Sequence, residues 1–355
     1  MSGKSATIIG SGRWLSFVWI LLFALALGWL LRPVSAPQLP AGWSHWKQVG
    51  PVFAMIPFRN GVLTGGANGI WYIDDRPVRP FAAGGPPSDA IIHQLVQPQV
   101  DMVWVGHSKG LSILTSGKWS HYAVADGIPE PPLYAMELDA QGGWIGGEGG
   151  LIRFQGNPPW PQGAIISMAP SKQIPVHRIS AILQDSYGGV WIGSNEPPKG
   201  GLFRSDAAGV SYWGREAGLP HPQVTSILQD QAGRIWAGTG FYNRGGVAVL
   251  TRRQQEWVLA KTLDTNDLAG PKVRSLAQDK QGRYWIGSEN SGLAIRTETA
   301  LLRVMDQTTG LPEREVTSIQ QTEDGAVWLA TLNGVIRIKP QVITTLTTEV
   351  KGGSS

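Results

Sequence analysis

Six histidines are the first place to look for chemistry in this 355-residue chain: His45, His93, His107, His121, His177 and His221. None pairs with another at the spacing of a helical metal site, and no His-Glu-x-x-His run occurs. The chain has no cysteine, which excludes thiol catalysis, disulfide scaffolds and Cys-ligated zinc. Asp264-Thr265-Asn266-Asp267 has a fragment of calcium-loop chemistry but neither the central Gly nor the closing Glu, and reads as a polar turn. The glycine-rich stretches Gly65-Gly66 and Gly146-Gly147-Glu148-Gly149-Gly150 lack the helix start that cradles a phosphate. Nothing here asks for a cofactor or a metal.

The acidic residues that recur do so in step. A run ending Ile-Leu-Gln-Asp185 is followed by Gly188 and Trp191-Ile-Gly193, and the same spacing returns at Asp230, Gly233, Trp236 and Gly238. It returns again at Asp279, Gly282, Trp285 and Gly287, then with Thr322 in place of the Asp at Gly325 and Trp328. A shortened copy holds Asp139, Gly142, Trp144 and Gly146, and weaker ones centre on Trp104 and Leu63. A residue that every unit repeats is one that every unit needs, so these Asp residues are read as turn formers and not as an acid/base ring. An Asp can accept from backbone N–H groups at such a turn, and the Gly three positions on can take positive φ.

The seven anchors (63, 104, 144, 191, 236, 285 and 328) lie 40 to 49 residues apart. Each unit has room for four short strands, as in Ile179–Gln184, Val190–Gly193, Gly201–Arg204 and Val210–Trp213. Four strands in 40–50 residues indicate a β-propeller blade, so the fold is expected to be an all-β, seven-bladed propeller spanning residues 43–348. Trp numbers 16 against 15 for Phe and Tyr together, which fits one position filled with Trp again and again, in the gap between blades. Small residues recur in the first strands, at Ala135, Ala181, Ser226, Ser275 and Ser318, where strands crowd round the axis. The ring can be closed from either end. Trp43–Gln48 resembles the fourth-strand segment Lys118–Tyr122 and predicts N-terminal closure; Val342–Thr348 is the C-terminal candidate.

At these motifs the chain resembles the two-component regulator propeller repeat family. Gly218-Leu219-Pro220 precedes the unit that begins at Val224, Gly310-Leu311-Pro312 that at Val316, and Gly127-Ile128-Pro129 that at Leu133. The resemblance implies an extracytoplasmic sensor-type propeller of the kind joined through a membrane helix to a kinase or regulator. The sequence read here has no such output domain after Pro340.

Function is sought where the units differ. The loops between second and third strands share a face with the loops that lead into each first strand. They are unequal: His107-Ser108-Lys109, Gly147-Glu148, Asn195 to Lys199 with Glu196, Phe241-Tyr242-Asn243-Arg244, Ser288-Glu289-Asn290 and Leu332-Asn333. The loops leading in add Asp89, His177, Arg178, Gln223, Lys272 and Glu315. The Asp-x-x-Gly turns of the other face are nearly uniform. The variable face is therefore the expected binding surface, with Phe241, Tyr242 and Arg244 as its anchors, because aromatic residues and Arg dominate hot spots. An enzymatic reading would place a lyase-like site at His177, Glu196 or Glu289.

Trp14–Leu31 is an 18-residue run without a charge, long enough as a helix, at roughly 27 Å, to cross a bilayer core. Lys4 and Arg13 precede it, so residues 1–13 are expected in the cytoplasm and the propeller beyond a bacterial inner membrane. Residues 32–42 form a Pro-rich tether and 349–355 a flexible tail. Residues 1–36 hold three of the 30 basic side chains and none of the 26 acidic ones, so the remainder is almost neutral and a nucleic-acid role has no electrostatic support. The expectation is a membrane-anchored, non-catalytic interaction module, with another membrane or envelope protein as partner. The alternative is a sensor that binds a glycan or small molecule and signals through a separate membrane protein. If Trp43–Gln48 is a fourth strand, the tether enters at the uniform face, leaving the variable face to point away from the membrane.

Overall fold

A computed structural model describes residues 39–156, 174 and 177–348. The chain divides into residues 1–38 and 39–355, and the expected membrane helix, most of the tether and the tail lie outside the described residues. Among the described residues no helix is long and apolar enough to cross a membrane.

Seven antiparallel sheets follow one another along the chain. Their innermost strands are Val52–Phe58, Ile92–Gln99, Leu133–Asp139, Ile179–Gln184, Val224–Gln229, Val273–Gln278 and Val316–Gln321. These neighbour one another in chain order and the seventh returns to the first, so the sheets are the blades of a closed propeller. Six blades have four strands; the third shows three among the described residues.

The ring closes from the N-terminal side. Trp43–Trp46 is the outer strand of blade 7, paired from Trp43 with Ile338 to Trp46 with Val335. Thr317 Oγ1 adds a 2.6 Å bond to the Val52 carbonyl oxygen of blade 1. The C-terminal candidate for that strand is instead a helix, Pro340–Thr348, with Ile343 buried against blade 7. The physical reason is spacing. Val342, Ile343 and Leu346 fall on one side of a helix and pack onto the cluster around Trp43 and Ile338, a contact that alternating strand faces would divide.

The repeated residues do the work that their spacing implied. In blade 4, Asp185 Oδ1 accepts from the Tyr187 and Gly189 N–H groups, each at 2.9 Å, while Gly188 sits at φ +83°. Asp185 Oδ2 accepts from Trp191 Nε1 at 2.8 Å, so one carboxylate ties the turn to the indole. Blades 5 and 6 repeat this at 2.8 and 2.9 Å, and in blade 7 the Thr322 hydroxyl oxygen accepts from the indole N–H at 3.0 Å. Each indole is buried against the next blade: Trp236 of blade 5 stacks on Tyr284 of blade 6 at 3.9 Å, and Trp328 of blade 7 packs with Val62 and Ile73 of blade 1. Two residues past the Trp, blades 4 to 6 have glycine, where blade 7 has Ala330. A Cβ on Gly193 would come within 2.7 Å of Val224 in the next blade.

Blade 3 departs from the pattern assigned to Asp139 and Trp144. Its hairpin is one residue shorter, Asp139 pairs directly with Gly142, and the carboxylate bonds Gln141 N and Arg153 with no indole bond. Trp144 is consequently only partly buried and lies under the Arg153 guanidinium at 5.4 Å.

Candidate functional site

Every inner strand carries a register shift at its start, between Val52 and Ala54, Ile92 and Gln94, Leu133 and Ala135, and at the matching place in blades 4 to 7. A bulge leaves one residue unpaired and re-aims its side chain. The seven residues so placed are Phe53, His93, Tyr134, Ser180, Thr225, Arg274 and Thr317. All seven line one cavity of about 420 Å³ at the axis, together with Arg178, Asn195 and Glu315. The cavity is the channel mouth on the face of the variable loops.

Three of these side chains hold the ring together. Ser180 Oγ donates to the Val224 carbonyl at 2.6 Å, Thr225 Oγ1 to that of Val273 at 2.6 Å, and Thr317 Oγ1 to that of Val52. In blade 6 the neighbouring Ser275 takes over this bond, to the Val316 carbonyl at 2.7 Å, and Arg274 is released from it. Phe53, His93, Tyr134 and Arg274 thus occupy staple positions without making the staple. The first three form a continuous aromatic arc, with ring centroids 6.0 Å apart from Phe53 to His93 and 5.1 Å from His93 to Tyr134.

Across the mouth the groups are charged and paired. Arg274 Nε contacts Glu315 at 2.9 Å and Glu289 at 3.0 Å, and Lys272 pairs with Glu289. Arg178 Nε meets Glu148 at 2.9 Å, and the Tyr134 hydroxyl donates to the same carboxylate at 3.3 Å. Burial lowers the His93 pKa, so its ring is neutral near neutral pH. Burial, reinforced by Glu148, raises the Tyr134 phenol, which stays protonated and able to donate. Burial also raises Glu315, against the pull of Arg274. The mouth is therefore an aromatic wall facing a neutralised polar network, suited to holding a flat or apolar group by its faces and a polar group by its edge. Among the described residues no three His, Asp or Glu side chains gather as metal ligands.

A second cleft of about 730 Å³ opens on the same face between blades 4 and 5. Phe241 is part of its wall, with Tyr212, His221 and Pro197, Pro198 and Pro222.

The expected face residues distribute unevenly. Arg178, Asn195 and Glu315 reach the mouth, and Lys272 and Glu289 adjoin it through Arg274. Tyr242, Asn243 and Arg244 stand exposed at a hairpin tip beside the cleft, Tyr242 at φ +50°. Glu196 accepts from the His177 N–H at 2.7 Å, while Lys109 pairs with Asp89 away from both cavities. Lys199 and Asn290 are exposed. His107 is not a face residue, because its ring is buried in blade 2. There the Lys109 N–H donates to Nδ1 at 3.2 Å and Nε2 meets Ser112 Oγ at 2.9 Å, with His121 Nδ1 2.8 Å beyond. Phe53, His93, Tyr134, Arg274, Tyr212 and His221 were assigned to no site from the sequence, where His93 and His221 figure only among the six histidines. The signal for the first four was the middle position of Val-x-Ser, which is a small hydroxyl in blades 4, 5 and 7 and changes elsewhere.

Fold and site together define a seven-bladed β-propeller with an aromatic and polar channel mouth. Residues 173–196, 218–241, 267–290 and 310–333 match the two component regulator propeller family, so the chain carries repeats of that family in four blades. No curated protein matches the chain. Among solved structures it is similar to the extracellular domain of a one component system from B. thetaiotaomicron (TM-score 0.66, 17% identity, 84% of this chain and 40% of that one). It is similar also to the extracellular domain of a hybrid two component system from the same organism (0.65, 15%, 85% and 42%). Virginiamycin B lyase from Staphylococcus aureus matches with a TM-score of 0.59 at 16% identity over 84% of this chain and 98% of its own. At these identities the likeness is one of fold, and the chain spans about two fifths of the first two structures.

Proposed function

We propose that this propeller is a non-catalytic recognition module working outside the cytoplasm, held at a bacterial inner membrane by Trp14–Leu31, and that it binds another membrane or envelope protein through its variable face as an accessory or scaffold subunit. The observation that carries the reading is the set of four bulge positions, Phe53, His93, Tyr134 and Arg274, that make no ring-closing bond and display large side chains at the channel mouth. The opposite face is occupied by internal duties. Gln229, Gln278 and Gln321 each accept from a backbone N–H of the preceding blade's turn, at 2.7 to 2.8 Å.

The test is photocrosslinking in native membranes with the full-length chain. A photoreactive residue at Tyr134 is expected to give one discrete protein adduct, and the same residue at Ala232 in an Asp-x-x-Gly turn none. Adducts only from position 232 would overturn the reading.

The family repeats and the extracellular sensor propellers among the similar structures favour a second reading, a ligand-binding sensor that passes its signal to a separate membrane protein. It predicts that a small molecule or glycan raises the melting temperature of the chain, and that Tyr134→Ala removes the rise.

A further inference from the structure

The cleft between blades 4 and 5 has features that the channel mouth lacks. Its walls are apolar and rigid. Tyr212 is 53% exposed and Phe241 41%, in a fold whose other large rings are mostly buried. The Tyr212 hydroxyl donates to the Gly200 carbonyl at 3.2 Å, which fixes the ring at the rim. Phe241 is braced by His221 at 6.3 Å and by Tyr242, edge-on, at 4.3 Å. Tyr242 keeps a left-handed backbone although it is not glycine, a local cost that persists only where the surroundings hold it.

The charge around the cleft is one-sided. Arg215 lines it, and Arg244 and Lys272 lie near enough to His221 to join burial in lowering its pKa. Lys272 is answered by Glu289, but Arg215 and Arg244 have no ion pair among the described residues. Glu216 is the one carboxylate of the lining. The neutral His221 ring adds a donor. Its Nδ1 accepts from the Gln223 N–H at 3.1 Å, so the proton sits on Nε2.

We infer that this cleft docks an extended acidic segment of a protein partner, one that carries an aromatic or aliphatic side chain between its carboxylates. The side chain enters between Tyr212 and Phe241, and the carboxylates meet Arg215, Arg244 and the His221 N–H. A cavity of this size lies within the range of roughly 300–1,000 Å³ that seats anchoring groups, and Arg clusters with aromatic walls recognise acidic motifs. The inference rests on the variable face being the binding face, and it specifies where on that face and by what chemistry.

The probe is a fluorescein-labelled dodecapeptide of alternating aspartate and glutamate around a central phenylalanine, titrated by anisotropy against the full chain in detergent. Counterparts replace the acids by lysine or the phenylalanine by alanine. The acidic peptide is expected to bind. Either replacement, or Phe241→Ala or Arg244→Glu in the protein, should weaken it about tenfold or more, as removal of an aromatic or charged anchor does. Lys118→Ala, on the exposed outer hairpin of blade 2, should leave it unchanged. Phe241 and Arg244 are exposed, so an unaltered melting temperature checks that both variants fold. No binding of the acidic peptide at about 1 mM, equal binding of all three peptides, or insensitivity to Phe241→Ala overturns the inference. Failure here with the Tyr134 crosslink intact would remove the cleft and leave the recognition face standing.

Discussion

Replacing Asp230 by Asn changes one atom and should cost far more than a surface substitution. The native carboxylate accepts from Ala232 N at 3.0 Å and Arg234 N at 2.9 Å through Oδ1. Through Oδ2 it accepts from Arg234 Nε at 2.7 Å, and from Trp236 Nε1 and the Tyr284 hydroxyl, each at 2.8 Å. An amide that keeps its oxygen on the turn presents N–H groups to the indole and the guanidinium. The Tyr284 hydroxyl can reverse and accept, but Trp236 Nε1 and Arg234 Nε are left without an acceptor, and Trp236 is fully buried. A flipped amide orphans the two turn N–H groups instead. Two unsatisfied donors at about 1–3 kcal/mol each give a loss of roughly 4 kcal/mol. Asp139→Asn is the control. Among the described residues Asp139 bonds Gln141 N and Arg153, is partly exposed, and makes no indole bond, so a loss of about 1 kcal/mol or less is expected. Urea unfolding of the full chain in detergent, followed by tryptophan fluorescence and far-UV circular dichroism, measures both. Equal losses in the two variants, or a loss below about 1 kcal/mol for Asp230→Asn, would refute the claim that the repeated Asp exists to bind the buried Trp.

Three other outcomes follow from the geometry. Burial, then His121, His93 and Lys109, push the His107 pKa down to about 4. The unfolded chain takes up a proton near pH 6.5 that the folded one refuses, so this stability is complete above pH 6.5 and lost as the pH falls towards 4, about 3 kcal/mol in all. The difference in urea midpoints between wild type and His107→Gln should therefore shrink or reverse from pH 7.5 to 4.5, and parallel profiles would contradict it. Thr317→Val removes the hydroxyl that bonds the Val52 carbonyl, and should lower unfolding free energy by about 1–2 kcal/mol with the fold retained by circular dichroism. Ile343→Ala leaves a void under the C-terminal helix and should cost about 2–5 kcal/mol, whereas the exposed Thr344→Ala should be neutral in the same thermal melt.

The blades were legible because each unit repeats its needs in sequence. Asp185, Gly188, Trp191 and Gly193 are each dictated by a local turn or by the next blade, so their spacing survives in every strong copy. Closure by Trp43–Trp46 was legible for the same reason, since it copies another outer strand. The channel mouth was hidden because its residues are defined by difference. Phe53, His93, Tyr134 and Arg274 share only a position, and that position becomes visible once the bulge in each inner strand is known. Asp139 and Trp144 looked like a full copy, yet a hairpin one residue shorter breaks the carboxylate–indole bond. Val342–Thr348 is rich in β-branched residues and reads as a strand; packing against blade 7 overrides that preference.

The first strand among the described residues belongs to the last blade. His45 Nε2 lies 2.7 Å from the Asn333 carbonyl oxygen, 288 residues away in sequence. On a ribosome adding roughly 5–20 residues per second, this end waits between about 15 seconds and one minute for its partner to emerge. Throughout that interval Trp43–Trp46 has no sheet to join, and the blades already formed present two open flanks to any passing strand. Of all the segments, this short one sets the earliest moment at which the molecule can be whole.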